Sequence, residues 1–115
     1  MTITIYHNPR CSKSRQTLAL IVEQGVEPKI VEYLETPPSA AELKRVIKKL
    51  ALKTRDILRK GEAIYAELGL QDPSLKDDAL ISAMVANPIL IERPIVVSGD
   101  KAALGRPPEA VLKIL

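Results

Sequence analysis

The sequence predicts an α/β fold in the order β-α-β, a helical insert, then β-β-α, and three observations carry that prediction. A strand-like opening runs straight into a helical pattern, and a second strand follows by residue 34. Residues of about 39–87 show only helical periodicity and are bounded by the breakers Thr36-Pro37-Pro38 and Asn87-Pro88. The remainder returns to strand signals around a Gly-Asp turn and closes on apolar residues at helical spacing.

Thr2-Ile3-Thr4-Ile5-Tyr6 alternates and is β-branched, so it reads as the first strand. A helix of about 12–24 follows, with Leu18, Ile21 and Val22 as its apolar stripe and Gly25 as its stop. Residues 29–34 alternate again, and strand–helix–strand over so short a span implies a parallel pair joined by a crossover helix. In the insert, Ser39 with Glu42 forms a capping box, and Leu43, Val46, Ile47 and Leu50 form the buried stripe behind it. Short helical turns are predicted over 54–60 and 62–68. A further helix opens at Asp72-Pro73-Ser74 and runs through Ala86, with Leu75, Ala79, Ala83 and Met84 inward. The insert is too short to bury a separate core comfortably, so the chain reads as one domain over 1–115. Pro94 to Ser98 forms the third strand, Gly99-Asp100 the turn, and Ala102 to Leu104 its partner. Gly105-Arg106-Pro107-Pro108-Glu109 starts the last helix, with Val111, Leu112 and Leu115 apolar. This order is thioredoxin-like, with a helical insertion in place of the middle helix.

Composition narrows the function. Hydrophobic residues make up 46% and charged residues 27%, as in soluble globular chains. Aromatics are only 3%, which argues against nucleic-acid binding by stacked bases. No basic start precedes an apolar run, so no secretory leader is expected, and no stretch approaches the roughly 20 apolar residues of a membrane span. A basic run from Lys44 to Lys60 contains Asp56 as its only acid, and a solvated helix face is its default reading.

Cys11 is the single cysteine, and it sits between the first strand and the first helix. A thiol at a helix N-terminus meets unpaired N–H groups and the positive end of the helix dipole, and both favour thiolate. Arg10, Lys13, Arg15 and His7 add charge nearby, and the same loop suits an oxyanion. Sulfur chemistry on an oxyanion is therefore the functional reading. A buried cysteine acting as a small hydrophobe is the bland one. One cysteine forms no internal disulfide, and with one histidine it fills no closed zinc site. A second thiol must come from another molecule, and the cytosol is the compartment expected for a reduced thiol.

The loop Tyr6-His7-Asn8-Pro9-x-Cys11-x-x-Ser14-Arg15 resembles that of the glutaredoxin-linked arsenate reductases, the ArsC type. The resemblance continues through Tyr33-Leu34-Glu35-x-Pro37-Pro38, Leu58-Arg59-Lys60 and Tyr65-x-x-Leu68-Gly69-Leu70. It closes with Asn87-Pro88-Ile89-Leu90-Ile91-x-Arg93-Pro94-Ile95-Val96-Val97 and Gly105-Arg106-Pro107, so it spans nearly the whole chain. It implies Cys11 as catalytic nucleophile, and Arg59, Arg93 and Arg106 as the arginines around the oxyanion. Arginine suits that task because its fork donates in pairs and never deprotonates. His7 and Ser14 take supporting roles, Ser14 by donating its hydroxyl to thiolate or anion, and Pro94 corresponds to the cis-proline of thioredoxin-like folds. At Arg10 the well-known reductases commonly carry a small residue, and longer members extend past the position of Leu115.

The resemblance implies a cytoplasmic, monomeric enzyme that reduces arsenate to arsenite. Glutathione and glutaredoxin serve as reductants, and no metal or organic cofactor is bound. Neither nucleic acid nor membrane is an expected partner. Two rivals are a transcription regulator of the Spx type and a general glutathione-dependent thiol oxidoreductase. The first typically uses a Cys-x-x-Cys switch, and here the fourth position is Ser14. The second needs the cysteine without the three arginines.

Overall fold

The computed structural model describes residues 2–115. They gather into two compact units, one running up to Thr36 and resuming over Arg93–Leu115, the other spanning Pro37–Glu92.

The first unit holds β1 (Ile3–His7), α1 (Ser12–Glu23), β2 (Lys29–Glu32), β3 (Ile95–Ser98) and β4 (Lys101–Leu104). The sheet order is β2-β1-β3-β4. β1 pairs in parallel with β2, placing His7 opposite Glu32, and antiparallel with β3, placing Tyr6 opposite Ile95. β3 and β4 form the predicted hairpin, and Gly99 takes a φ of 62° that costs glycine little. Ile3 and Ile5 share one face of β1 by the period-two rule and pack with Ile21, Val96 and Val111, flanked by Leu18, Val26, Ala103 and Ile114. Each such side chain contributes about 1.5–3 kcal/mol when fully buried.

Several details differ from the expected ones. β2 stops at Glu32 rather than residue 34, because the amides of Glu35 and Thr36 both fold back to the Glu32 carbonyl. Val22 of α1 is 57% exposed. The buried residues of α1 are Ser14, Thr17 and Ile21, and about 100° per residue carries Val22 off that face. The closing segment Pro108–Ile114 is a 3-10 helix, which buries Val111 and leaves Leu112 and Leu115 exposed. Both Arg93–Pro94 and Arg106–Pro107 are cis, the second unforeseen.

The second unit is helical: α2 (Ala40–Leu50), a 3-10 turn at Thr54–Ile57, α3 (Ala63–Glu67), α4 (Asp77–Ala86) and a 3-10 turn at Pro88–Leu90. Ser39 Oγ accepts from the Glu42 amide at 3.1 Å, capping α2 as the sequence predicts. Leu43, Val46 and Ile47 of α2 are buried, as are Leu80, Ile81 and Met84 of α4. α4 starts at Asp77 and not at Ser74, because Asp72 Oδ1 accepts from both the Ser74 amide (2.9 Å) and its hydroxyl (2.8 Å), a turn that competes with helix. Its buried face rotates accordingly: Ala79 is exposed, while Leu75 and Ala83 are half-buried.

Candidate active site

The turn between β1 and α1 is held at every step. The Cys11 amide donates to the Asn8 carbonyl at 3.0 Å, closing a tight turn, and the Arg10 amide donates to Asn8 Oδ1 at 3.0 Å. Arg15 Nη1 donates to the Pro9 carbonyl at 3.0 Å. Cys11 itself is the N-cap of α1, with extended φ and ψ of −92° and 124°, and its carbonyl accepts the first helical bond from the Arg15 amide at 3.0 Å. Its thiol is half-buried at the helix mouth.

Burial alone pushes the Cys11 thiol up. The Ser14 amide, the hydrogen bond and charge of Arg93, and the Lys13 amide outweigh it, so the thiol lies below its ordinary value. The thiolate is favoured by the first-turn amides and by an arginine far away in sequence. Lys13 acts here through its backbone rather than its side chain.

Arg93 precedes the cis Pro94 at the start of β3, and Arg106 Nη1 donates to the Arg93 carbonyl at 3.0 Å. The turn carrying Arg106 is docked by its neighbour. Gly105 is buried and donates its amide to the Pro94 carbonyl at 2.9 Å. A Cβ at Gly105 would overlap the Thr17 hydroxyl and lie 2.6 Å from Pro94 Cγ. Only glycine permits this approach. Thus Cys11, Arg93, Pro94 and Arg106 are brought to one end of the first unit.

His7 is buried, and its Nδ1 lies 2.7 Å from Ser14 Oγ. The same hydroxyl oxygen accepts from the Asn8 amide at 3.0 Å. Burial lowers the His7 pKa most, Glu32 pulls it up, and Arg15 lowers it further, for a net decrease that favours the neutral ring. The Ser14 oxygen is thus shared between His7 and the Asn8 amide, and the group of Ser14 that lowers the Cys11 pKa is its amide.

Arg59 belongs to the second unit and is ion-paired there. Nη1 lies 3.0 Å from Glu92 Oε1, and Nη2 lies 3.3 Å from Glu62 Oε2. An oxyanion taken by Arg59 competes with these two carboxylates. Sequence reading missed both acids, although the Arg59-x-x-Glu62 spacing is a familiar helical pair. It also missed Gly105, whose only sequence signal was its place before Arg106. Among the described residues, no three His, Cys, Asp or Glu side chains cluster to hold a metal, and no helix is long and apolar enough to cross a membrane.

A cysteine at a helix N-cap, facing an arginine that precedes a cis-proline, places the chain among thiol proteins of thioredoxin-like fold. The pattern of the ArsC family matches residues 6–114, and the chain belongs to that family. It is 57% identical to the Uncharacterized protein YfgD of Escherichia coli (strain K12), over 98% of this chain and 96% of that one. It is 52% identical to an arsenate reductase of Rhizobium meliloti (strain 1021), over 100% of this chain and 82% of that one. The solved structure of an arsenate reductase from Vibrio cholerae superposes with a TM-score of 0.98 at 55% identity, covering 100% of this chain and 98% of that one.

Proposed function

We propose that this protein is an arsenate reductase that uses Cys11 as its nucleophile and glutathione with glutaredoxin as its electron source, in the cytoplasm. The observation that carries the reading is the Cys11 thiol at the α1 N-cap, favoured as thiolate by the Ser14 amide and by Arg93. Relatives about half identical over nearly the whole chain bear the name arsenate reductase. The thiolate attacks arsenic(V) while Arg93 and Arg106 hold its oxygens, and water leaves as the sulfur–arsenic bond forms. The family pattern gives Arg59 the third arginine role, and its guanidinium is paired with Glu62 and Glu92.

A glutathione thiolate then attacks the Cys11 sulfur. The sulfur–sulfur bond forms, the sulfur–arsenic bond breaks, and its electron pair stays on arsenic, which leaves as arsenite. The two thiols are together oxidised by two electrons and arsenic(V) is reduced by two. Glutaredoxin removes glutathione from Cys11 and restores the thiolate. The test is a coupled assay with arsenate, glutathione and glutaredoxin, following NADPH consumption through glutathione reductase. Arsenate-dependent consumption that vanishes in Cys11→Ser is the expected result. Consumption equal in Cys11→Ser and wild type overturns the reading.

A further inference from the structure

Beside the Asn8–Cys11 turn the first unit carries a cavity of about 140 Å³, which the arginine–cysteine arrangement does not use. His7, Asn8, Arg10, Glu32, Leu34 and Glu35 line it. Its charges are unbalanced in a specific way. Among the described residues, the guanidinium of Arg10 and the carboxylates of Glu32 and Glu35 make no ion pair with any side chain, although they border one cavity. Two buried polar side chains also line it. Asn8 uses Oδ1 on the Arg10 amide and His7 uses Nδ1 on Ser14, which leaves the Asn8 amide group and His7 Nε2 without a hydrogen-bond partner in the protein. Leu34, 40% exposed, adds an apolar wall. The Arg10 guanidinium, two carboxylates and an apolar wall complement a ligand end that bears an ammonium and a carboxylate together. The volume is well below the roughly 300–1,000 Å³ of a site that encloses a whole small molecule, so it accepts one end of a ligand.

Resting on the proposed reduction by glutathione, we propose that this cavity seats the γ-glutamyl end of the glutathione that attacks the Cys11 adduct. Its α-carboxylate faces Arg10 and the Asn8 amide group, and its α-ammonium faces Glu32 and Glu35. Reach is sufficient. The Cys11 amide bonds the Asn8 carbonyl at 3.0 Å, and the ends of so tight a turn lie within about 7 Å. A tripeptide spans about 10 Å when extended. The seat makes Arg10, next to the nucleophile, a determinant of which thiol is used.

Two measurements test it. S-methylglutathione, which has no free thiol, is titrated into the wild-type chain and followed by amide NMR. Saturable shifts at Asn8, Arg10, Leu34 and Glu35, weakened about tenfold in Arg10→Gln and in Glu35→Gln, are expected. In single turnover from the arsenate-loaded protein, the same variants should form the mixed disulfide about tenfold more slowly with glutathione and at an unchanged rate with 2-mercaptoethanol. Normal arsenate turnover without saturable shifts at this cavity, or variants slowed equally with both thiols, overturns the seat. Saturable shifts there in a protein that reduces no arsenate with any thiol support the seat and overturn the arsenate reading instead.

Discussion

After the Ser14 amide, Arg93 is the group that most favours the Cys11 thiolate, and it lies 82 positions further along the chain. The first-turn amides of Ser14 and Lys13 act on the thiol as its helix-start position predicts, while the charge comes from this distant guanidinium rather than from flanking Arg10, Lys13 and Arg15. Titration of thiolate absorbance should therefore show Cys11 ionising below the usual value of about 8.5, and Arg93→Lys should move it upward. A thiol that titrates at or above that value in wild type contradicts the assignment. The sign of the stability effect follows. A folded-state pKa below the unfolded one contributes stability that is present above the unfolded value and lost as pH falls through the folded one. Wild type minus Cys11→Ser stability, from urea unfolding, should accordingly grow with pH across that window. For arsenate, Arg93→Lys removes a charge-assisted hydrogen bond of about 1.5–3 kcal/mol, a loss of about 10–100-fold in kcat/KM. On the proposed role, Arg59→Lys should act mainly on kcat. A purely KM effect at Arg59 would show that it binds the ground state.

Among elements, periodic ones were legible in the sequence and their phases less so. β1, α1, the β3–β4 hairpin and the capped α2 all follow from local pattern, since period-two and period-3.6 spacing and the Ser39 cap are short-range signals. What failed was set by local competition or by packing. The Asp72–Ser74 turn delays α4 to Asp77, and the inward phase of α1 follows Ser14 and Thr17 rather than the more apolar Val22. Two substitutions probe such element ends. α2 terminates on Ala51 at φ 56°, a left-handed conformation that costs a residue with a Cβ about 1–2 kcal/mol. Ala51→Gly should raise stability by about 1 kcal/mol in urea unfolding, and no gain would mean that helix fraying already relieves the cost. At the other end of the energy scale, Gly105→Ala forces a methyl onto Thr17 and Pro94. Overpacking of this kind costs about 1–3 kcal/mol. The damage should also reach function, because Arg106 follows directly in the chain and donates to the carbonyl of Arg93, the neighbour of Pro94. A raised KM for arsenate is expected together with the lowered stability, and an unchanged KM would detach Arg106 from the Gly105 contact.

For the whole molecule, the single cysteine sets the limit on what the chain does unaided. Two electrons are needed per arsenate, and Cys11 shares in only one disulfide, so on the proposed scheme the resolving thiol comes from outside. That expectation rests on a residue count, whereas the distant arginine that favours the thiolate and the acids that hold Arg59 emerge only from folding. With glutathione but no glutaredoxin, the reaction should stall as a mixed disulfide, and intact-protein mass spectrometry should find one glutathione on Cys11. Adding glutaredoxin should restore turnover. Thioredoxin as the only reductant should sustain none, because that exchange normally passes through an internal dithiol that one cysteine cannot form. Steady turnover with thioredoxin alone would mean that the sulfur–arsenic adduct is resolved directly by a protein dithiol, and the requirement for a small peptide thiol would fall with it.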